Sequence, residues 1–318
     1  MKCSVIIPYY QRQPGVLRRA LDSVFAQSHQ DFDVIVVDDS SPLPVEAEVG
    51  ALPLEQRARI AVVKQANAGP GGARNTGLDL VPADSACVAF LDSDDEWAPG
   101  HLKTATGAMA RFDADCYFAS IHGGEEFYYH YGVAELAAGT AVSRLSDDPP
   151  LVEVADLAGV MLRDWSFLHL SCMVIGKSLF RTARFEAALR LAAEDVLFFH
   201  DCIRAARRVV LGETTGAVRG EGLNIFHGVA SDSPQFLRQQ FNTWMALDRL
   251  ESRSAHRPED RASIRSCKQT ARRQALWGQA RLVRGRKAPQ LGLLAQWAWR
   301  DPQILRSAVE LAVAKLAR

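Results

Sequence analysis

Over the first 120 positions the apolar residues alternate between two periods. Short continuous runs, "CSVIIP" at 3–8, "FDVIVVDD" at 32–39, "ARIAVVKQ" at 58–65 and "ACVAFLD" at 86–92, predict strands apolar on both faces. Between them Val16, Leu17, Ala20, Leu21, Val24 and Phe25 recur at helical spacing after Pro14. Further helices are predicted at "VEAEVGAL", "GGARNTGLDLV" and "PGHLKTATGAMARF", then a strand at "DCYFAS". Buried strands alternating with helices imply a mostly parallel sheet flanked by helices, an α/β fold. Downstream, "EEFYYHYG" reads as an extended aromatic segment, "VADLAGVMLRD" as a helix, "LSCMVIGKSLF" as a strand entering a helix, "AEDVLFFHDCIRAARR" as a helix and "VVLGE" as a strand. From about residue 233 the pattern is helical to the end. The last helix carries Asp301 as its expected N-cap and Pro302 at its first position.

In parallel sheets of this kind ligands bind beyond the carboxyl ends of the strands. Two acidic groups fall there: Asp38–Asp39, and the run Asp92, Asp94, Asp95 and Glu96 in "FLDSDDEW". Two unit charges 4 Å apart repel by about 4 kcal/mol at an effective dielectric near 20. The run is either a solvated acidic turn or a site relieved by positive charge, a divalent cation first of all. The glycine-rich stretch "NAGPGGARNTG" at 67–77 lacks the G-K-[ST] of a P-loop and does not follow the first strand, so neither an NTP cradle nor a dinucleotide site is supported. It is either a tight loop opening a helix or a place where backbone and Arg74 approach a ligand.

Composition adds few constraints. The chain has 318 residues, 48% hydrophobic and 23% charged, which suits one large or two modest globular domains. No apolar run is long enough to span a bilayer, and the N-terminal stretch lacks the pattern of a signal peptide. Six scattered cysteines without C-x-x-C spacing read as reduced thiols in a cytoplasmic protein. Net charge is zero, yet residues 251–318 hold 15 Lys+Arg against 5 Asp+Glu, so the rest is correspondingly acidic.

Taken in order, "SVIIPYYQR", "VIVVDDSS", "NAGPGGARNTGL" and "AFLDSDDEW" resemble glycosyltransferase family 2, the inverting sugar transferases of GT-A fold; "AEDVLFFHDCIRA" and "NIFHG" resemble its later markers. The resemblance implies a nucleotide-sugar-binding half at 1–120 and an acceptor-binding half at 121–232; no family motif matches beyond about 250, and the helical pattern and charge make 233–318 a separate basic helical region. It implies that Pro8, Tyr10, Asp39, Arg74 and Asp92 contact the donor, with Asp39 accepting the N3–H of a uracil-like base. Asp94 would bind Mn²⁺ or Mg²⁺, with His227 as a further ligand. Asp195 would be the general base, and Glu194, Trp165 and His169 would line the acceptor side. Each residue also has a plain structural reading: Tyr10 and Trp165 as packing aromatics, His227 as a hydrogen-bonded histidine, Glu194 and Asp195 as acids favoured at a helix N-terminus. Gln11 departs from the family pattern, in which Asn follows the tyrosine.

The function so implied is transfer from a UDP-sugar to a glycan or lipid-linked acceptor in bacterial surface polysaccharide synthesis. A metal-dependent nucleotidyltransferase is the rival within enzymes, weakened by the absence of a Lys/Arg-rich triphosphate loop near Gly69–Gly72. A non-catalytic sugar-nucleotide-binding module is the rival outside them. The basic C-terminal block with Trp277, Trp297 and Trp299 suggests a peripheral contact with an anionic membrane at the inner face of the cytoplasmic membrane, or an oligomer contact. No motif supports nucleic-acid binding.

Overall fold

The computed structural model describes residues 1–123, 140–165, 167–189, 193–220, 229–254 and 257–316. The aromatic segment at 125–132 and His227 lie outside the described residues. The chain divides into two compact units, Met1–Arg190 with Asp195–Leu223, and Leu191–Glu194 with Asn224–Arg318.

In the first unit the predicted alternation is realised as β1 (Cys3–Tyr9), α1 (Val16–Phe25), β2 (Phe32–Asp38), α2 (Val45–Gly50), α3 (Leu54–Arg57), β3 (Ile60–Lys64), α4 (Gly69–Asp79), β4 (Cys87–Phe90), β5 (Glu96–Trp97), α5 (His101–Phe112) and β6 (Cys116–His122). There follow β7 (Val142–Asp147), β8 (Pro150–Val154), α6 (Leu157–Arg163), a 3₁₀ turn at Leu170–Cys172, β9 (Met173–Gly176), α7 (Lys177–Phe180), α8 (Glu194–Ala205) and β10 (Val209–Val218). The expected border at residue 120 falls inside β6. The hairpin β7–β8 was not anticipated from the pattern.

The sheet order is β3-β2-β1-β4-β9-β6-β10-β8-β7, with β5 paired to β10. Strands β3, β2, β1, β4, β6, β10 and β7 run one way, and β9, β8 and β5 the other. Chain order reverses between β1 and β4, the place where an α/β sheet opens at its carboxyl edge. The β1–β4 ladder ends at Ile6↔Phe90, whereas β1 stays paired to β2 as far as Tyr9↔Asp38. Pro8 therefore sits in a central strand without costing a bond to β4, because β4 has already turned away. The central strands are buried almost throughout, as their unbroken apolar runs require; β3, at the edge, is largely exposed.

Helix α4 packs closely on β1. A Cβ at Gly77 would press on the Ile6 side chain, so glycine sets the distance between helix and strand.

The second unit holds α9 (Pro234–Arg253), α10 (Pro258–Arg284), α11 (Leu291–Arg300) and α12 (Gln303–Leu316). Leu237, Phe241, Trp244, Ala271, Ala275, Trp297 and Ile304 form its core. Asp301 does not spend its carboxylate capping α12. It accepts from Arg272 Nε at 2.6 Å and Nη2 at 3.1 Å, both side chains being buried, and from Trp297 Nε1 at 3.4 Å. A buried bidentate partner outcompetes the cap, because an unpaired Arg272 in this core would be costly. Asp301→Ala should therefore destabilise this unit by about 3–5 kcal/mol in chemical unfolding, far more than the loss of an N-cap.

Candidate active site

The carboxyl ends of β2, β1 and β4 lie side by side, so Asp38–Asp39 and the acidic run are separated by one strand, about 10 Å by strand spacing. At the β2 end Asp39 is buried and already engaged. Its Oδ1 accepts from Gln65 Nε2 and the Ala68 N–H, both at 2.7 Å, and its Oδ2 from the Gly69 N–H at 2.8 Å. Gly69 turns the chain at φ +78° into α4, so the glycine-rich stretch opens a helix capped by Asp39. Of about four acceptor positions on a carboxylate, three are filled. Asp38 accepts from the Ser41 N–H at 2.7 Å. Pro8 and Tyr10 end β1 half-buried beside this corner. Gln11 is buried and its Nε2 donates to Ser93 Oγ at 3.0 Å. The longer amide that departs from the family pattern thus ties the end of β1 to the middle of the Asp92-Ser93-Asp94 element.

The acidic run is built from four directions. Helix α4 brings Arg74, whose Nη2 donates to Asp92 Oδ1 at 2.6 Å and whose guanidinium lies 5.4 Å from the Phe185 ring. The antiparallel β9 starts beside the end of β4, so the turn before it delivers His169 and Ser171. Strand β5 pairs with the end of β10, with Val218 opposite Glu96, which carries Arg219 and Gly220 alongside. Helix α8 brings Asp195. Its Phe198 stacks on Phe185 at 3.8 Å, and Phe90 of β4 meets both edge-on.

Ser171 links these parts. Its Oγ accepts from the Asp92 N–H at 3.0 Å and donates to Asp95 Oδ2 at 2.6 Å; its N–H donates to His169 Nδ1 at 3.2 Å; its carbonyl accepts from Trp97 Nε1 at 2.6 Å. Asp95 Oδ1 also accepts from the Gly220 N–H at 3.2 Å. A side chain at Gly220 would collide with the Asp94 carbonyl, so only glycine brings this N–H so close. Ser171, Arg219 and Gly220 carry no signal in the sequence pattern. Glu96 pairs with Arg19 at 3.5 Å on the surface.

The electrostatics follow from burial and crowding. Burial, then the charges of Asp95 and Asp92, push Asp94 up to about 7. Burial, then Asp92, push Asp95 up to about 7, against the bonds from Ser171 and Gly220. Burial alone would raise Asp92 too, but Arg74 and His169 hold it below the ordinary carboxyl value. Burial lowers His169, against the pull of Asp92 and Asp195. Burial raises Asp195, whose Oδ1 accepts only partial relief from the Val196 N–H at 2.8 Å.

Of the residues singled out from sequence, Arg74, Asp92, Asp94, His169 and Asp195 therefore act on one another in a single corner. Asp39, Pro8 and Tyr10 lie one or two strands away. Glu194 opens α8 and is buried, and Trp165 is half-buried in the turn after α6. Among the described residues, one oxygen each from Asp92 and Asp95 and a ring nitrogen of His169 come within 4.8 Å of one another, a set able to hold a metal ion. Asp95, one of this set, is pushed up to about 7 by burial and then by Asp92, which a cation would relieve, so the residues fit one; Asp94, the ligand expected from the sequence, lies beside the set and is not part of it.

A family model described as Glycosyl transferase family 2 matches residues 4–211. The succinoglycan biosynthesis protein ExoW of Rhizobium meliloti (strain 1021) is 63% identical over 317 residues, covering 100% of this chain and 99% of that protein. Among solved structures, S. aureus TarS aligns with a TM-score of 0.54 at 20% identity, over 78% of this chain and 40% of that one. S. aureus TarS 1–349 in complex with UDP-GlcNAc gives a TM-score of 0.55 at 18% identity, over 88% and 83%. These structures bear on the fold alone, and they agree with the GT-A-type sheet and C-terminal helices expected from sequence.

Two measurements probe the corner. Ser171→Ala removes one donor and one acceptor from buried partners and should cost about 1–3 kcal/mol in chemical unfolding. For Asp94, the folded chain keeps a proton that the unfolded chain has released between the ordinary carboxyl pKa and about 7. Stability of the metal-free protein therefore falls as pH rises through that window. Asp94→Asn should melt above the wild type at about pH 8, by about 1 kcal/mol or more, with the gap narrowing as pH falls below about 7 and closing only near the ordinary carboxyl pKa, about 4.

Proposed function

The chain belongs to glycosyl transferase family 2 and is a glycosyltransferase; from that premise we propose that it transfers a sugar with inversion from a UDP-sugar to a hydroxyl of a glycan or lipid-linked acceptor. Its destination is a bacterial surface polysaccharide of the succinoglycan kind, a reading supported by the name of the 63% identical ExoW. The UDP assignment is supported by the UDP-GlcNAc complex of TarS 1–349. The chain works in the cytoplasm, at the inner face of the membrane. The nucleotidyltransferase and non-catalytic alternatives have no comparable support.

The observation that carries the mechanism is the meeting of Arg74, Asp92, Asp94, Asp95, His169 and Asp195 beyond the carboxyl end of β4. Tyr10 and Pro8 flank the base, and the unfilled position on Asp39 Oδ2 accepts the uracil N3–H. Asp92, held by Arg74, faces the ribose side. Asp92, Asp95 and His169 would hold Mn²⁺ or Mg²⁺, with Asp94, the ligand expected from the sequence, beside them. When bound, such an ion supplies positive charge to the leaving diphosphate. Arg74 and Arg219, both of which act on Asp92, add to that stabilisation from the protein.

Asp195 takes the proton of the acceptor hydroxyl as it attacks from the face opposite the diphosphate. Burial raises its proton affinity towards the operating pH, which strengthens it as a base while leaving it largely ionised above its pKa. Glu194, Trp165 and His169 orient the acceptor. An α-linked donor then gives a β-linked product.

UDP with Mn²⁺ should raise the melting temperature, by about 2.7 kcal/mol of stability at a hundredfold excess over Kd. Asp195→Asn should keep that shift and lose about 10²–10⁴-fold in transfer rate, followed as UDP release. An equal melting response to every nucleoside diphosphate would remove the uracil assignment. A wild-type rate for Asp195→Asn would move the base elsewhere.

A further inference from the structure

The second unit leaves apolar surface uncovered in a regular way. In α11, Trp297 is fully buried and Leu293, Leu294 and Ala298 pack against the core. The opposite side shows Leu291, Ala295 and Trp299 at i, i+4 and i+8, all exposed, with Trp299 84% accessible. In α12, Ile304 and Ser307 face inward, while Leu305, Val309 and Val313 form a second i, i+4, i+8 stripe at 60%, 63% and 59% exposure. A helix apolar on all sides is normally buried on all sides; α11 has only Gln296 and Arg300 as polar residues and is covered on one. The exposure is not fraying. The corner between the two helices is fixed to α10 by the buried Arg272–Asp301 pair.

The surroundings say what covers these stripes. Residues 281–318 carry eight Lys+Arg against two Asp+Glu. Arg300 ends the α11 stripe, and Arg306, which flanks that of α12, is paired with Glu310 at 3.2 Å, so the excess of positive charge lies mainly in 281–287, at the end of α10 and just after it. A second copy meeting this face through a twofold contact would set the same positive charge against itself. An anionic lipid surface is complementary to it, and exposed Trp and Leu among arginines is the composition of a helix lying in a bilayer interface. No described helix is long and apolar enough to cross the bilayer. We infer that α11 and α12 form an interfacial platform that inserts Leu291, Trp299, Leu305, Val309 and Val313 into the surface of an anionic membrane. This deepens the peripheral membrane reading above by naming the face that docks.

The test is co-sedimentation of the full chain with phosphatidylcholine vesicles, alone and with about 30% phosphatidylglycerol, at about 50 mM and 500 mM NaCl. The expected result is at least about tenfold stronger binding to the anionic vesicles, largely lost at high salt. The triple variant Trp299→Ser, Leu305→Ser, Val309→Ser should lose about tenfold or more in binding while keeping the wild-type melting shift with UDP and Mn²⁺. Equal binding by wild type and triple variant, or no binding to anionic vesicles at low salt, would overturn the platform. So would a concentration-dependent dimer in sedimentation velocity that the triple variant abolishes, since that would assign the face to a second copy. Vesicle binding without any UDP response would leave the platform standing and remove the donor assignment instead.

Discussion

Three carboxyl groups share a corner too dry to ionise them all comfortably. Asp92, Asp94 and Asp95 leave the end of β4 within four residues, and the features around them act to contain their mutual repulsion. Arg74 neutralises Asp92 directly, which leaves Asp94 and Asp95 to carry the unrelieved charge, and both are pushed up to about 7. A structure built only for stability would place an apolar side chain or a second arginine here, because buried charges are worth little unless fully paired. Crowded acids that stay half-protonated without a cation and ionise with one make a site that couples metal binding to proton release.

The sheet topology makes this corner. An all-parallel sheet would send the strand next to β4 in the same direction and leave its carboxyl edge open. Here β9 runs the other way, so the residues that precede it, His169 and Ser171, arrive beside the end of β4 rather than at the far edge. The two-residue β5 then hooks the chain onto β10 immediately after the acids, and the end of β10 returns Gly220 to Asp95. Ser171 spends both backbone polar groups and its hydroxyl on holding this geometry. Fixing Asp92 through its N–H rather than its carboxylate keeps the carboxylate oxygens available to Arg74 and to a ligand.

Much of this was legible beforehand, for identifiable reasons. Buried strands write continuous β-branched runs, so β1, β2 and β4 could be read directly, and with them the acids at their ends. The glycine-rich stretch was visible, but not that Asp39, some thirty residues earlier, caps it. Contacts of long sequence separation leave no periodic trace. The Ser171–Asp95 bond spans 76 residues and the Gly220–Asp95 bond 125. Neither serine nor glycine has a pattern that distinguishes such a position from an ordinary turn. The hairpin β7–β8 leaves little trace in the pattern because its strands are short, β7 is largely polar, and Pro149 and Pro150 stand at the turn between them, which reads as loop. Asp301 was misassigned because local cap chemistry could be seen in the sequence, whereas Arg272, one helix away, could not.

Trp297 and Trp299 show the same limit from the other direction. They are two positions apart on one helix, about 200° in rotation, so they cannot both face one core. The sequence offers no basis for choosing between them, since the residues around each are equally apolar. Folding buries Trp297 against Phe241 and Trp244, at 5.3 and 5.9 Å between rings, and hands its N–H to Asp301. That choice satisfies the one polar atom of the ring and leaves Trp299 outside with an arginine beside it. An indole left there retains an apolar body and a polar tip, and its exposure to water costs free energy that a further apolar surface would recover. The helix is therefore built for two different environments, a protein core on one side and, on the other, a surface that none of the described residues provides.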